Sequence, residues 1–216
     1  MTFRYTLVVG SKQLSSWSLR PYLAMRATGA PFQEVVIALN RPQTHADILR
    51  HSPSGKVPAL KIEENGEVVT VFDSLAICET LAERHQEAGL WPDLPLVRAR
   101  ARAYACEMHA GFAALRKTLP MQIASRLPTP ELGDEVRQDI ARVTTAWEEA
   151  LVRHETDGGF LFGRFSIADC MYAPVVSRFV TYGVSLTPRL TQYCERIMAL
   201  AGMQDWTAAA RKELGA

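Results

Sequence analysis

Every run of residues that reads as a β-strand lies before residue 73, and beyond residue 96 the chain reads as helices separated by turns and breaks. This division is the strongest constraint on what the chain can fold into. Phe3 to Val9 is apolar and β-branched and ends at Gly10. From Trp17 the pattern turns helical, with Pro21 in the first turn and Gly29 as the C-terminal glycine. Phe32 to Leu39 reads as the second strand, so the opening is a βαβ unit. Asn40 to His51 is a polar loop with one weak helix. Asn65-Gly66 then separates two β-like runs, Ala59–Glu63 and Val68–Phe72, which predicts a hairpin. Asp73-Ser74 precedes an amphipathic helix from Leu75 to Arg84. Two parallel strands followed by an antiparallel hairpin and a helix give βαβ-ββα.

Gly89, Pro92 and Pro95 make Ala88 to Leu96 the best linker in the chain. The chain is therefore divided into an α/β domain over 1–87, a linker over 88–96 and an all-α domain over 97–216. In the second half, Val97–Leu119 and Glu131–Glu155 read as long bundle helices. Gly158 to Gly163 is a turn with aromatic anchors. Ser166-Ile167-Ala168-Asp169 is a capping box with Asp in place of Glu or Gln, and starts a buried helix from Ile167 to Tyr182 that Pro174 is expected to bend. Two more helices follow, over Pro188–Leu200 and Gln204–Lys212.

Within this frame one stretch carries a ligand signal. Ser52-Pro53-Ser54-Gly55-Lys56-Val57-Pro58-Ala59-Leu60 joins a turn to an apolar run. Gly55 permits φ > 0, and Pro58, which donates no ladder hydrogen bond, belongs at the first position of a strand. A cis Val57–Pro58 bond would turn the Val57 backbone N–H and C=O outward, free to pair with an extended peptide-like ligand.

Composition excludes several classes. A net charge of +1 shows no basic footprint for nucleic acid. No run reaches the ~18 apolar residues of a membrane helix, and the N-terminal apolar run is too short for a signal peptide. Cys78, Cys106, Cys170 and Cys194 are far apart and form no C-x-x-C, so they read as buried, reduced thiols of a cytoplasmic protein. The five histidines show no ligand spacing, so no metal is expected.

Taken together, the βαβ-ββα half, the Val57-Pro58 step, the Asp73-Ser74 pair and the Ser166–Asp169 start resemble the cytosolic glutathione S-transferases over the whole chain. The loop Ser15-Ser16-Trp17-Ser18-Leu19-Arg20 is similar to the S-S-C-S-x-R loop of the zeta class, the maleylacetoacetate isomerases. So is the spacing from Gly163 through Asp169 and Pro174 to Leu186-Thr187-Pro188. The resemblance implies a thioredoxin-like domain followed by a helical bundle, glutathione as substrate or catalytic thiol, no metal, and a homodimer with a role in detoxification.

The chemistry such a fold must perform can be set against these residues. A free thiol titrates near ~8.5 and is mostly un-ionised at neutral pH. A hydroxyl donating to the thiolate lowers that value, and a helix N-terminus adds positive potential. Ser15, then Ser16, are the candidates, each weighed against an ordinary N-cap. Ser18 reads as a first-turn residue and Arg20 as structural or charge-tuning. Asp73 would take the ammonium of the γ-glutamyl group and Ser74 its carboxylate. Val57 and Pro58 would hold the cysteinyl backbone, and Lys56 the glycyl carboxylate, with Gln43 and His45 weaker candidates. The electrophile would lie against Trp17, Met108, His109, Phe112, Arg116 and Arg178, a set weighed against a core stripe.

Trp17 stands where the zeta loop carries Cys, and Arg178 sits one turn before the position of the arginine expected on that helix. The main reading is therefore thiolate addition to an electrophilic small molecule. The alternatives are a glutathione-dependent cis–trans isomerase of aromatic amino acid catabolism and a non-catalytic glutathione-binding stress protein.

Overall fold

The computed structural model describes residues 3–155 and 158–215. Strand β1 (Phe3–Gly10), helix α1 (Ser16–Thr28), β2 (Phe32–Ile37), α2 (Thr44–Leu49), β3 (Ala59–Glu64), β4 (Glu67–Phe72) and α3 (Ser74–Arg84) form the first half. The sheet order is β2-β1-β3-β4, with β1 and β2 parallel and the other pairs antiparallel. The hairpin turns at Asn65 and Gly66, both at positive φ.

Sheet alternation explains why β1 is apolar on consecutive residues. Tyr5, Leu7 and Val9 join the main core beneath α1 and α3. Val8 points the other way, into a small cluster with Ile37, Ala59 and Ile48 of α2. Both faces of β1 are covered, so no polar alternation is needed.

A 3-10 turn (Gln86–Ala88) leads to the helical half: α4 (Pro95–Ala110), α5 (Ala113–Thr118), α6 (Asp134–Arg153), α7 (Ile167–Tyr182), α8 (Pro188–Ala199) and α9 (Ala201–Leu214). One continuous core runs from the sheet through α1 to α7 and α9. Helix α1 packs against α3, α7 and α9, and is buried on nearly every side rather than on one amphipathic face.

Several boundaries differ from the sequence reading. Helix α1 starts at Ser16, so Pro21 lies inside it rather than in its first turn. The single helix expected over Val97–Leu119 is two. Gly111 ends α4, Phe112 turns through positive φ, and Asp139 caps the start of α5 by accepting from the Leu115 N–H at 2.9 Å. The break swings Phe112 into the core, where it is 7% exposed. Helix α7 runs unbroken through Pro174. Its Ser166–Asp169 capping box is present as expected. Three of the cysteines are buried, but Cys106 is exposed, because position 106 falls on the outer side of α4.

Candidate active site

The first helix start is built from a loop tied down at a distance. Glu213 near the end of α9 accepts from the Lys12 and Gln13 N–H groups at 2.8 and 3.0 Å. Trp206 donates to the Lys12 carbonyl at 2.7 Å. The Gln13 side chain reaches the helical half, donating to Ser125 and accepting from the Ala124 N–H. This holds Ser15 and Ser16, 6% and 8% exposed, at the mouth of α1.

Ser15 is the N-cap residue by position, yet its hydroxyl makes no capping bond to the first turn of α1. It donates to Ser18 Oγ at 2.8 Å, and Ser18 Oγ also accepts from the Gly10 N–H at 3.0 Å. Ser18 therefore holds two incoming bonds and keeps its own proton. Were Ser18 to donate to Ser15 instead, the Ser15 O–H would be released toward a ligand. Ser18 is the Ser15 hydroxyl's partner, which helix spacing alone did not single out, because its acceptor role depends on Gly10 at the end of β1.

At the second helix start, Asp73 adopts φ 78° and ψ 133°, and its carboxylate accepts from the Leu75 and Ala76 N–H groups at 2.9 and 3.2 Å. The other carboxylate oxygen lies 3.2 Å from His109 Nε2. Ser74 is buried, and its hydroxyl has no hydrogen-bond partner among the described residues. Between these two helix starts, Gly55 has φ 65°, and a Cβ there would lie 3.0 Å from the His45 ring. Lys56 is exposed, Val57 half-buried and Pro58 buried, and the Val57–Pro58 peptide bond is cis.

The second-substrate candidates divide into two groups. Trp17, His109 and Arg116 come together. The His109 ring meets Trp17 edge-on at 5.3 Å, and the Arg116 guanidinium lies 5.3 Å from the Trp17 ring centre. Met108 and Phe112 are buried in the core. Arg178 is 3% exposed and donates to the carbonyls of Leu119 and Pro174, bracing α7 against the end of α5. Arg20, read as structural, stacks on Trp17 at 4.2 Å and is fully buried. Burial, then Arg178 and Arg116, lower its pKa to about 9. Burial, then Arg116, lower that of Arg178 to about 10. Burial pushes the Cys78 thiol well above its ordinary value, which removes it as a nucleophile. Among the described residues no set of side chains gathers as a metal site, and no helix is long and apolar enough to cross a membrane.

A thioredoxin-like sheet joined to a helical bundle, with two serine-bearing helix starts flanking a Val-Pro turn, defines a glutathione S-transferase architecture. Residues 14–84 match the family described as "Glutathione S-transferase, N-terminal domain", and residues 107–196 match "Glutathione S-transferase, C-terminal domain". The chain belongs to the glutathione S-transferase family. Among its relatives, the maleylacetoacetate isomerase of Rhizobium meliloti is 31% identical, over 80% of this chain and 81% of that protein. The solved maleylacetoacetate isomerase of Anaeromyxobacter dehalogenans, with bound glutathione in its active site, is 27% identical with a TM-score of 0.67, covering 95% of each chain. Glutathione transferase Omega 2S of Trametes versicolor shares the fold, with a TM-score of 0.74 at 23% identity, covering 100% of this chain and 98% of that one.

Proposed function

We propose that this protein binds glutathione across the three segments, ionises its thiol and adds the thiolate to an electrophilic small molecule. The observation that carries this reading is the Ser15 hydroxyl, which sits at a helix N-terminus without capping it. Switching the Ser15–Ser18 bond frees the Ser15 proton to be donated to a thiolate, a charge-assisted bond that favours the ionised form. Ser16 is the second candidate for that role. Asp73 receives the ammonium of the γ-glutamyl end, and the unpartnered Ser74 hydroxyl its carboxylate. The Val57 backbone pairs with the cysteinyl residue, and Lys56 meets the glycyl carboxylate. Trp17, His109 and Arg116 face the electrophile.

Ser15→Ala tests the reading. Turnover with an aryl halide is expected to fall by about one to two orders of magnitude, with the bound thiol's pKa shifted upward. An unchanged rate and thiol titration would move the role to Ser16 or to backbone N–H groups.

The relatives named maleylacetoacetate isomerase favour a second reading, in which glutathione forms a transient adduct and is returned. Isomerisation of a cis-enone dicarboxylate without net consumption of glutathione would select it. A homodimer fits the open edge at β4, where Val68, Val69 and Phe72 are 61, 55 and 45% exposed. Val69→Glu is expected to shift the protein to monomer in size-exclusion chromatography, and a dimer that persists would move the interface elsewhere. A cytoplasmic location accords with the buried thiols Cys78, Cys170 and Cys194.

A further inference from the structure

Arg20 is the most unusual buried group in the molecule. It is 0% exposed, and Nε, Nη1 and Nη2 all lack a hydrogen-bond acceptor among the described residues. A buried charge without pairing is costly, and folds ordinarily pair or neutralise it. Here two further guanidinium groups face it. Among the described residues Arg178 of α7 is bonded only to neutral carbonyls, and Arg116 of α5 leaves Nη1 buried and unpartnered. The arginines at 20 and 116 both lie against Trp17.

The surrounding titratable groups do not balance this charge. These are Asp73, which caps α3, and the neutral, buried Cys78 within it. Asp73 is already engaged by the start of its own helix and by His109 of α4. Among the described residues the three guanidinium groups are thus set against one occupied acid, and this mutual repulsion adds to burial in lowering the proton affinity of Arg20. An anion placed nearby would relieve it.

Sequence and geometry locate where that anion belongs. Arg20 is one turn along α1 from Ser16, and side chains on a helix lean toward its N-terminus. The guanidinium stacks on Trp17, the residue after Ser16. Its positive field thus reinforces the helix end at which the Ser15 hydroxyl waits. Because Arg20 is fully enclosed, it acts through this field and through Trp17 rather than by touching a ligand.

We propose that Arg20, Arg116 and Arg178 form a buried cationic seat behind Trp17 whose counter-charge is the thiolate of bound glutathione, with Arg20 as its central positioning residue. The proposal rests on the glutathione reading above. On binding, the thiol S–H proton leaves to solvent and the negative charge stays at the α1 N-terminus, held by the serine hydroxyl and by this field. A unit charge within roughly 8–10 Å in a partly buried site moves a neighbouring pKa by about one unit.

The test is an ultraviolet titration of the glutathione thiolate bound to wild type, Arg20→Met, Arg20→Lys and Arg116→Met, with glutathione affinity and thermal melting measured alongside. Arg20→Met is expected to raise the bound thiol's pKa by about one unit. Its kcat/KM with an uncharged electrophile should fall about tenfold at neutral pH and recover in alkali. Its melting temperature should hold or rise, because an unpaired buried charge is gone. Arg20→Lys should retain most of the wild-type titration, and Arg116→Met should move it in the same direction as Arg20→Met. An unmoved thiol pKa in both Met variants overturns the proposal. So does a rate loss confined to carboxylate-bearing electrophiles, which would make the seat a carboxylate site. A wild type that binds no glutathione overturns the glutathione reading itself and this inference with it, whereas normal wild-type binding with unmoved variants overturns this inference alone.

Discussion

His109 Nε2 lies 3.2 Å from the Asp73 carboxylate, and this contact links α4 of the helical half to the start of α3. The same imidazole meets Trp17 edge-on. One side chain thus holds two parts of the candidate site in register. Both bonded groups are partly exposed, at 28 and 45%, so the polar link is worth at most about 1 kcal/mol. His109→Phe keeps a ring against Trp17 and removes the bond. Its glutathione affinity, measured by calorimetry, should fall by no more than about fivefold. His109→Ala should fall further, since it also removes the aromatic contact. Equal affinities for wild type and His109→Ala would show that Asp73 needs no partner from α4.

Asp73 combines a capping carboxylate with a backbone at φ 78°, a region that glycine tolerates and alanine does not. Asp73→Ala and Asp73→Gly both lose the cap, which costs about 1 kcal/mol. The alanine variant keeps the strain. In urea unfolding, Asp73→Gly should be the more stable of the two by about 1 kcal/mol. Both should lose glutathione binding, because neither supplies an acid for the ammonium. A glycine variant less stable than the alanine variant would mean that the backbone there is unstrained.

The two N–H groups held by Glu213 belong to the loop that delivers Ser15. Charge-assisted bonds of this kind contribute roughly 1.5–3 kcal/mol where they are shielded, and less where the acid is exposed, as here. Glu213→Ala should loosen the loop without unfolding the domain. Amide exchange at Gln13 to Ser16 should speed up about tenfold, and kcat should fall while α7 remains protected. Unchanged exchange would show that Trp206 and Gln13 hold the loop by themselves.

The elements of the fold were legible wherever the signal was local. Leu7-Val8-Val9, Asn65-Gly66 and Ser166–Asp169 each announce their structure within a few residues. The helix starts at Ser15 and Asp73 and the Val57–Pro58 step were legible for the same reason, as cap and turn chemistry. What was hidden depends on contacts between distant segments. Ser18 reads as a first-turn residue until Gly10 donates to it. Arg20 reads as structural or charge-tuning, but its complete burial shows only once α3 and α7 pack against α1. Phe112 continues a helical stripe on paper, but the core draws it out of the helix after Gly111. Periodicity cannot report that Glu213 caps a loop some 200 positions earlier, as the Lys12–Glu213 bond does.

Asp169 is the clearest case of local chemistry with a global consequence. It is fully buried and accepts from the Leu161 N–H at 3.1 Å, the Ser166 N–H at 2.9 Å, the Ser166 hydroxyl at 3.0 Å and the Tyr193 hydroxyl at 3.1 Å. One carboxylate therefore joins the Gly158–Gly163 turn, the start of α7 and the side of α8. Asp169→Ala leaves these donors unpaired and should destabilise the protein by about 3–5 kcal/mol in urea unfolding. Burial outweighs the four donors and raises the carboxyl pKa from 3.8 to about 6. A folded pKa above the unfolded one gives a stabilising contribution that is complete below pH 3.8 and is lost as pH rises through about 6. Asp169→Asn has no such titration. Its deficit relative to wild type should be larger at pH 4.5 than at pH 7.5, by about 2 kcal/mol. A deficit that instead grows with pH would show that the donors, not burial, govern this carboxyl.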